Sequence, residues 1–252
     1  MNAEITAKRK GMFTGSEIHR LMAGSAGYKP CEMSDEWQCF EKIKGDNGFD
    51  YVPILEAPKG KKLVYKKDES FLPDGAVSYV LEKCCEILAP QEKNGYKSES
   101  MQNGTDKEIA SVYAVELAIG RIFTCTGDDQ FFFTDGIYGC TPDGVMYDDD
   151  FSVEYGLEIK NPSSDTHLFN LINLKNDADL LKHYPAYYWQ CMTALAILGC
   201  ESWIFASYDD RFELKNRLLM IEIARNESEI ARLKNRVRLA NDLKNKILLE
   251  FR

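Results

Sequence analysis

The segment that most constrains this chain is Thr141-Pro142-Asp143-Gly144, followed further on by Gly156-Leu157-Glu158-Ile159-Lys160-Asn161-Pro162. Side chains alternate between the two faces of a β-strand, so Glu158 and Lys160 share one face while Ile159 enters the opposite layer. Asp143 ends an apolar run, and a hairpin through Asp148, Asp149 and Asp150 would carry it beside Glu158. Two carboxylates and a lysine gathered in this way are the equipment of metal-dependent phosphodiester hydrolysis. A hard divalent cation such as Mg²⁺ prefers such oxygens. The plainer alternative is a turn aspartate in Pro-Asp-Gly, with an ion pair on an edge strand.

At 252 residues the chain is long enough for one generous domain, and 44% hydrophobic content with 12% aromatics suits a packed core. No apolar run of about 18 residues occurs, so no membrane helix is expected. The first ten residues lack the apolar stretch of a secretory signal, and the expected location is the cytoplasm. The eight cysteines form no CxxC pair and no paired spacing with histidine, which points to reduced, buried thiols.

A net charge of −9 looks wrong for a partner of nucleic acid until its distribution is considered. Residues 122–159 contain nine acids and no Lys or Arg, whereas residues 211–252 contain eleven basic residues against six acidic ones. Lys8-Arg9-Lys10 and Lys59, Lys61, Lys62, Lys66 and Lys67 add smaller basic clusters. An acidic, metal-suited centre is thus flanked by segments able to meet phosphates, or simply by solvated faces.

Periodicity predicts a short helix over 15–22 capped by Thr14 or Ser16, then helices over 74–88, 100–119, 187–198 and a long basic one over about 226–252. Gly120 ends the second long helix. Short strands are expected at 121–125, 131–134, 137–140, 145–147, 157–160 and 203–208. Residues 28–72 read as an insertion with one hairpin, and 91–100 as a polar connection. His167 and His183 read as surface polar residues. Asp148–Asp150 reads as a solvated hairpin tip and Phe131-Phe132-Phe133 as a buried strand. The sum is a mixed α/β core forming one domain over 1–252.

Aspartate followed by Glu-x-Lys on the next strand resembles the PD-(D/E)XK nuclease superfamily, a restriction-endonuclease-like core with a central mixed sheet flanked by helices. The companion segments narrow the resemblance to the phage lambda exonuclease type, the YqaJ-like viral recombinase family. Arg9-Lys10-Gly11-Met12-Phe13-Thr14-Gly15-Ser16-Glu17 is similar to the family's Arg-x-Gly-x-x-Thr-Ala-Ser-Glu. Asn103-Gly104-Thr105-Asp106-Lys107-Glu108 resembles its Gly-x-x-x-Glu helix entry, and Ala186-Tyr187-Tyr188-Trp189-Gln190 its glutamine segment. Ala206-Ser207-Tyr208-Asp209 resembles the motif that closes a strand. About forty extra residues after the Ser16 helix depart from the pattern. Ala194, where RecB-like relatives carry tyrosine, favours the phage exonucleases.

The resemblance implies Asp143, Glu158 and the Ile159 carbonyl as metal donors, with Glu108 completing a two-metal site for Mg²⁺, Mn²⁺ being able to substitute. Lys160 would position or deprotonate the attacking water or offset phosphate charge, and Gln190 would orient Lys160 or a water. Arg9 and Ser16 would contact the 5′-phosphate. The implied activity is 5′→3′ digestion of one strand of linear double-stranded DNA from a phosphorylated end, leaving a 3′ single strand. The implied partners are a single-strand annealing protein and two further copies in a ring-shaped homotrimer, with no membrane. An endonuclease on the same core, or a catalytically silent DNA-binding module, are the alternatives.

Overall fold

The computed structural model describes residues 3–24, 27–45, 48–56, 58–60, 63–68, 70–89 and 99–251. Lys61, Lys62 and residues 91–98 of the expected polar connection lie outside the described residues, as do the side chains at 103–106 of the Gly-x-x-x-Glu motif. In chain order the elements are α1 (Ala3–Lys8), β1 (Phe13–Thr14), α2 (His19–Met22), β2 (Tyr28–Cys31), β3 (Cys39–Gly45), β4 (Gly48–Ile54), β5 (Val64–Lys67), α3 (Asp74–Leu88) and α4 (Glu99–Ile119). There follow β6 (Phe133–Thr134), β7 (Tyr138–Cys140), β8 (Gly144–Tyr147), β9 (Val153–Lys160), α5 (Ser164–Asn173), α6 (Asp177–His183), α7 (Pro185–Leu198), β10 (Ser202–Tyr208), β11 (Leu218–Ala224) and α8 (Glu227–Glu250).

The central sheet runs β11-β10-β9-β8, with β9 and β10 parallel and both outer pairings antiparallel. Its two faces follow from alternation. Leu157, Ile159 and Ala206 pack with Val112 and Val115 of α4, Phe123 and Met146 in one cluster. Trp203, Phe205, Ile221 and Ile223 point the other way and join α2, α3, α7 and α8 in the larger core. Apolar on every side, α7 can only be stable buried, and Tyr188, Trp189, Cys191, Met192 and Leu195 are all buried there. Gly199 ends it in the left-handed conformation, its N–H bonded to Leu195 O at 3.0 Å.

Helix α8 buries the stripe Ile230, Leu233, Val237, Ala240 and Leu248 at helical spacing, mostly against α3. Two of its basic residues lie on the same stripe. Arg236 donates to Phe71 O and Lys244 donates to Gly11 O at 2.8 Å. Arg232 and Arg238 pair with Glu229 and Asp242. Much of the helix's basic charge is therefore committed inside the chain.

Several expectations need correction. Ser16 does not cap a helix: residues 15–18 form turns, α2 begins only at His19, and Ser16 Oγ faces Thr14 Oγ1 and Arg9 at 3.5 and 3.4 Å. Residues 121–125 make only one bridge, Thr124 to Val145, because Cys125 adopts positive φ and turns the chain away. The insertion holds four strands in the order β2-β5-β3-β4 rather than one hairpin. The helices α5 and α6 and the strand β11 were not anticipated. Of the three phenylalanines only Phe132 is buried, and Phe131 is exposed. His167 is fully buried: Nδ1 meets Ser207 Oγ and Nε2 meets Asn216 O, each at 2.9 Å, satisfying both ring nitrogens beneath β10. His183 is exposed, and all eight cysteines are free.

One glycine couples this framework to the strand carrying Glu158. A Cβ on Gly156 would lie 2.0 Å from the Trp203 ring, which is fully buried in the core, so the ring or the strand would have to shift. Gly156→Ala is expected to lower unfolding stability by about 3 kcal/mol, read as a reduced denaturation midpoint in urea with an unchanged slope.

Candidate active site

The strand β9 lies between β8 and β10, and its last turn of alternation sets the site. Glu158 and Lys160 emerge on the α7 face, and Glu158 is only 3% exposed. The Lys160 ammonium donates to Glu158 Oε1 and lies 4.9 Å from the centre of the Tyr187 ring. Asp143 precedes β8, where its N–H bonds Leu157 O at 3.0 Å and its Oδ2 accepts the Ile159 N–H at 2.7 Å. The Pro-Asp-Gly turn thus ties its carboxylate to the backbone of the neighbouring strand between Glu158 and Lys160.

Glu108, on α4, reaches the site through an unexpected residue. The Gln130 amide donates both to Glu108 Oε1 at 2.8 Å and to Asp143 Oδ1 at 3.2 Å, so one side chain bridges two carboxylates. Gln130 follows the acidic 3₁₀ turn Gly127–Asp129, and nothing in its local pattern marked it out. Gln190 borders the cavity beside Glu158 but makes no hydrogen bond to Lys160 among the described residues. Tyr187, three residues earlier on the same face of α7, takes that position.

A cavity of about 250 Å³ opens beside Glu158, with Arg9, Ser16, Thr141, Gln190 and Trp203 in its wall. The N-terminal segment reaches it because β1 pairs in parallel with β7, Thr14 opposite Gly139, just before Thr141. Thr141 Oγ1 and Trp203 Nε1 are buried without a hydrogen-bond partner among the described residues. Such orphaned donors are ordinarily satisfied by water or ligand oxygen.

The electrostatics follow from burial and crowding. Burial pushes the Glu158 carboxyl up to about 8, against the opposing pull of Lys160, with Asp143 adding to the rise. Asp143 is likewise raised by burial, although Lys160, the Ile159 N–H and Gln130 pull it back. Glu108 is raised by burial and then by Asp143. Burial alone would discharge Lys160, but the Glu158 and Asp143 carboxylates outweigh it and hold the amine above the ordinary lysine value. Among the described residues no three His, Cys, Asp or Glu side chains converge as a ready metal set. Glu108 and Asp143 are instead spanned by Gln130, and Glu158 by Lys160. In kind the donors fit a hard cation: they are carboxylate oxygens whose mutual repulsion a dication would relieve.

The profile of the YqaJ-like viral recombinase domain matches residues 73–201, just over half of the chain. A comparison with curated protein sequences found no match. Among solved structures, LHK-Exo, an alkaline exonuclease from Laribacter hongkongensis, superposes with a TM-score of 0.65 at 20% identity, over 99% of this chain and 95% of that one. The same protein in complex with dAMP gives 0.66 at the same identity and coverage. A phage-related exonuclease from Haemophilus somnus 129PT gives 0.63 at 13% identity, over 96% of each chain. The fold is the PD-(D/E)XK restriction-endonuclease-like core, and the chain belongs to the YqaJ-like viral recombinase family.

Proposed function

We propose that this chain is a divalent-metal-dependent DNA exonuclease that digests one strand of linear duplex DNA 5′→3′ from a phosphorylated end. The observation that carries the reading is the buried Glu158 carboxylate paired with the partly exposed Lys160, with Asp143 locked to the Ile159 N–H, beside a cavity that also holds Arg9 and Ser16. A structural ion pair has no use for a cavity at its side. Nor has it a use for the extra carboxylates of Asp143 and Glu108.

Asp143, Glu158 and the Ile159 carbonyl would hold the cation, Mg²⁺ or Mn²⁺, with Glu108 serving a second ion. The bound metal supplies an activated water and charge stabilisation at the leaving oxygen. Lys160, released from Glu158, offsets charge on the scissile phosphate or orients the water. Tyr187 keeps the ammonium aimed at the cavity through its ring. Gln190 offers its amide to a phosphate-bound water. Thr141 and Trp203 present unpaired donors to phosphate oxygens. Arg9 and Ser16, 3.4 Å apart on the wall, suit the 5′-phosphate of the strand being cut.

The remaining parts of the reading rest on the family resemblance. They are a single-strand annealing protein that receives the 3′ strand, and a ring-shaped homotrimer through which DNA passes. Enclosure would let a chain of net charge −9 stay on its polyanionic substrate.

Linear duplex DNA labelled at one 5′ or 3′ end, incubated with Mg²⁺ or EDTA, tests the activity. Release of mononucleotides from the 5′ end with Mg²⁺ alone is expected, and Lys160→Ala is expected to slow it by about 10³-fold. Intact DNA in every lane would sink the nuclease reading in favour of a silent binding module, and cutting of closed circles would replace it with an endonuclease. Arg9→Ala is expected to reduce the preference for 5′-phosphate over 5′-hydroxyl ends by about 10-fold, with little change on 5′-hydroxyl substrate. Light scattering at micromolar concentration is expected to give three times the chain mass, and a monomeric mass would remove the ring.

A further inference from the structure

The inserted sheet carries a cleft of its own, about 420 Å³, that shares no wall residue with the cavity beside Glu158. Its wall combines Trp37 and Phe40 with Lys66, Lys67, Gln38 and Asp68. That volume falls in the range of about 300–1,000 Å³ typical of small-ligand sites. We propose that this cleft binds single-stranded DNA, with a base stacked on Trp37 and the strand's phosphates against Lys66, Lys67 and Lys29.

Three observations carry the assignment. The first is Trp37 itself. It is 38% exposed, whereas Trp189 and Trp203 are 4% and 0% exposed, so it is the tryptophan whose ring a ligand can reach, in the cleft wall beside Phe40. The Lys66 ammonium lies 4.4 Å from the centre of the Trp37 ring, so aromatic face and cation already form one unit.

The second is the placement of charge. In the β2–β5 pairing Lys29 stands directly opposite Lys66, and like charges so opposed weaken a sheet. Asp68 is the acid of this wall. Its own carboxyl is held low first by the Ser70 hydroxyl, with smaller contributions from Lys29 and Lys66, and it is a single acid set against Lys29, Lys66 and Lys67. A fold accepts such a pairing where an anion is to be met.

The third concerns the mode of contact. Pro30 and Pro53 lie on β2 and β4, the outer strands of the sheet. Proline there removes ladder donors, so the sheet is poorly suited to adding a strand from another protein through its edges. Gln38 is fixed across the sheet by two bonds of 3.1 Å from its amide nitrogen, to Cys39 O and Ile54 O. What the insertion offers is its cleft, a stacking surface beside cations. Duplex DNA hides its base faces and presents mainly phosphates, whereas a single strand supplies both partners at once. The proposal rests on the nuclease reading for its source of ligand, since digestion of one strand leaves the other single.

The full-length protein in EDTA, where no cleavage occurs, is titrated with unlabelled oligo(dT) while its tryptophan fluorescence is followed. Because the other two tryptophans are buried, the accessible signal is that of Trp37. Quenching on addition of oligo(dT), abolished in Trp37→Phe, is the expected result. Anisotropy of a labelled oligo(dT) is expected to show about tenfold weaker binding for Trp37→Ala. Lys66→Glu with Lys67→Glu is expected to weaken binding as well and to flatten its salt dependence by about 1.4 in the log–log slope. These exposed positions are checked for folding by circular dichroism, and the charge variant gives a second reading if Trp37→Ala melts early. Absence of quenching, or unchanged affinity in both variants, would overturn the proposal. So would a change of oligomeric mass in the charge variant with oligo(dT) binding intact, which would make the cleft a protein interface. Duplex digestion with Mg²⁺, measured on the same wild-type preparation, keeps the two ideas separable: digestion without quenching defeats the cleft alone, and quenching without digestion defeats the nuclease alone.

Discussion

Everything around the cavity beside Glu158 depends on keeping the Glu158 carboxylate inside the protein. Burying an ion without a partner costs several kcal/mol, and removing one member of a buried pair typically costs about 3–5 kcal/mol. Lys160 supplies the partner from two positions along the same strand, the shortest distance at which two side chains share a face. The arrangement is self-contained in one strand, and it needs only that the strand be held straight between two neighbours. The pairings of β9 with β8 and β10 do that, and the Asp143 carboxylate clamps the Ile159 N–H between the two charged residues.

The same alternation divides the sheet between two cores. Leu157 and Ile159 face α4, while Gly156, Glu158 and Lys160 face α7. The largely apolar α7 covers much of the Glu158 side, leaving Gln190 at the cavity wall. Gly156 then leaves space for the Trp203 ring beside the pair. The result is a low-dielectric wall behind Glu158, with a cavity at its side that Arg9, Gly15 and Ser16 of the N-terminal segment help to line. Burial raises the carboxyl groups there, and Lys160 and Gln130 moderate the rise. On the nuclease reading such a site suits a dication, whose charge would do more to settle the Asp143 and Glu158 carboxylates than either protein donor does.

Much of this was legible in the sequence because it rests on local rules. The alternation Glu158-Ile159-Lys160, the Pro-Asp-Gly turn, the helical spacing of 74–88 and the apolar run of α7 each encode their structure within a few residues. What could not be read depends on contacts distant in the chain. Gln130 acquires its role only when α4 and the start of β8 come together, 22 and 13 positions away. His167 looks like a surface residue until Ser207 and Asn216, from other elements, take both ring nitrogens. Ser16 has the composition of a helix cap, yet the parallel pairing of β1 with β7 turns it toward the cavity. In the insertion, weak periodicity concealed four strands because their aromatic residues, Tyr28, Phe40, Tyr51 and Tyr65, pack on one another rather than on a long helix.

The charge distribution gains a different meaning once the folded positions are known. The C-terminal helix holds more basic residues than any other helix among the described residues, yet Arg236 and Lys244 are spent on backbone carbonyls, and Arg232 and Arg238 on acids of the same helix. A polyanion would have to compete with those partners. The cations placed at cavities are fewer and lie elsewhere: Arg9 beside Glu158, and Lys66 and Lys67 beside Trp37. On the nuclease reading this is a coherent arrangement. Affinity for phosphate is confined to points where a strand must be oriented, while the acidic remainder repels DNA from unproductive surface. Specific placement, rather than total charge, is then what reconciles a chain of net charge −9 with a nucleic-acid substrate.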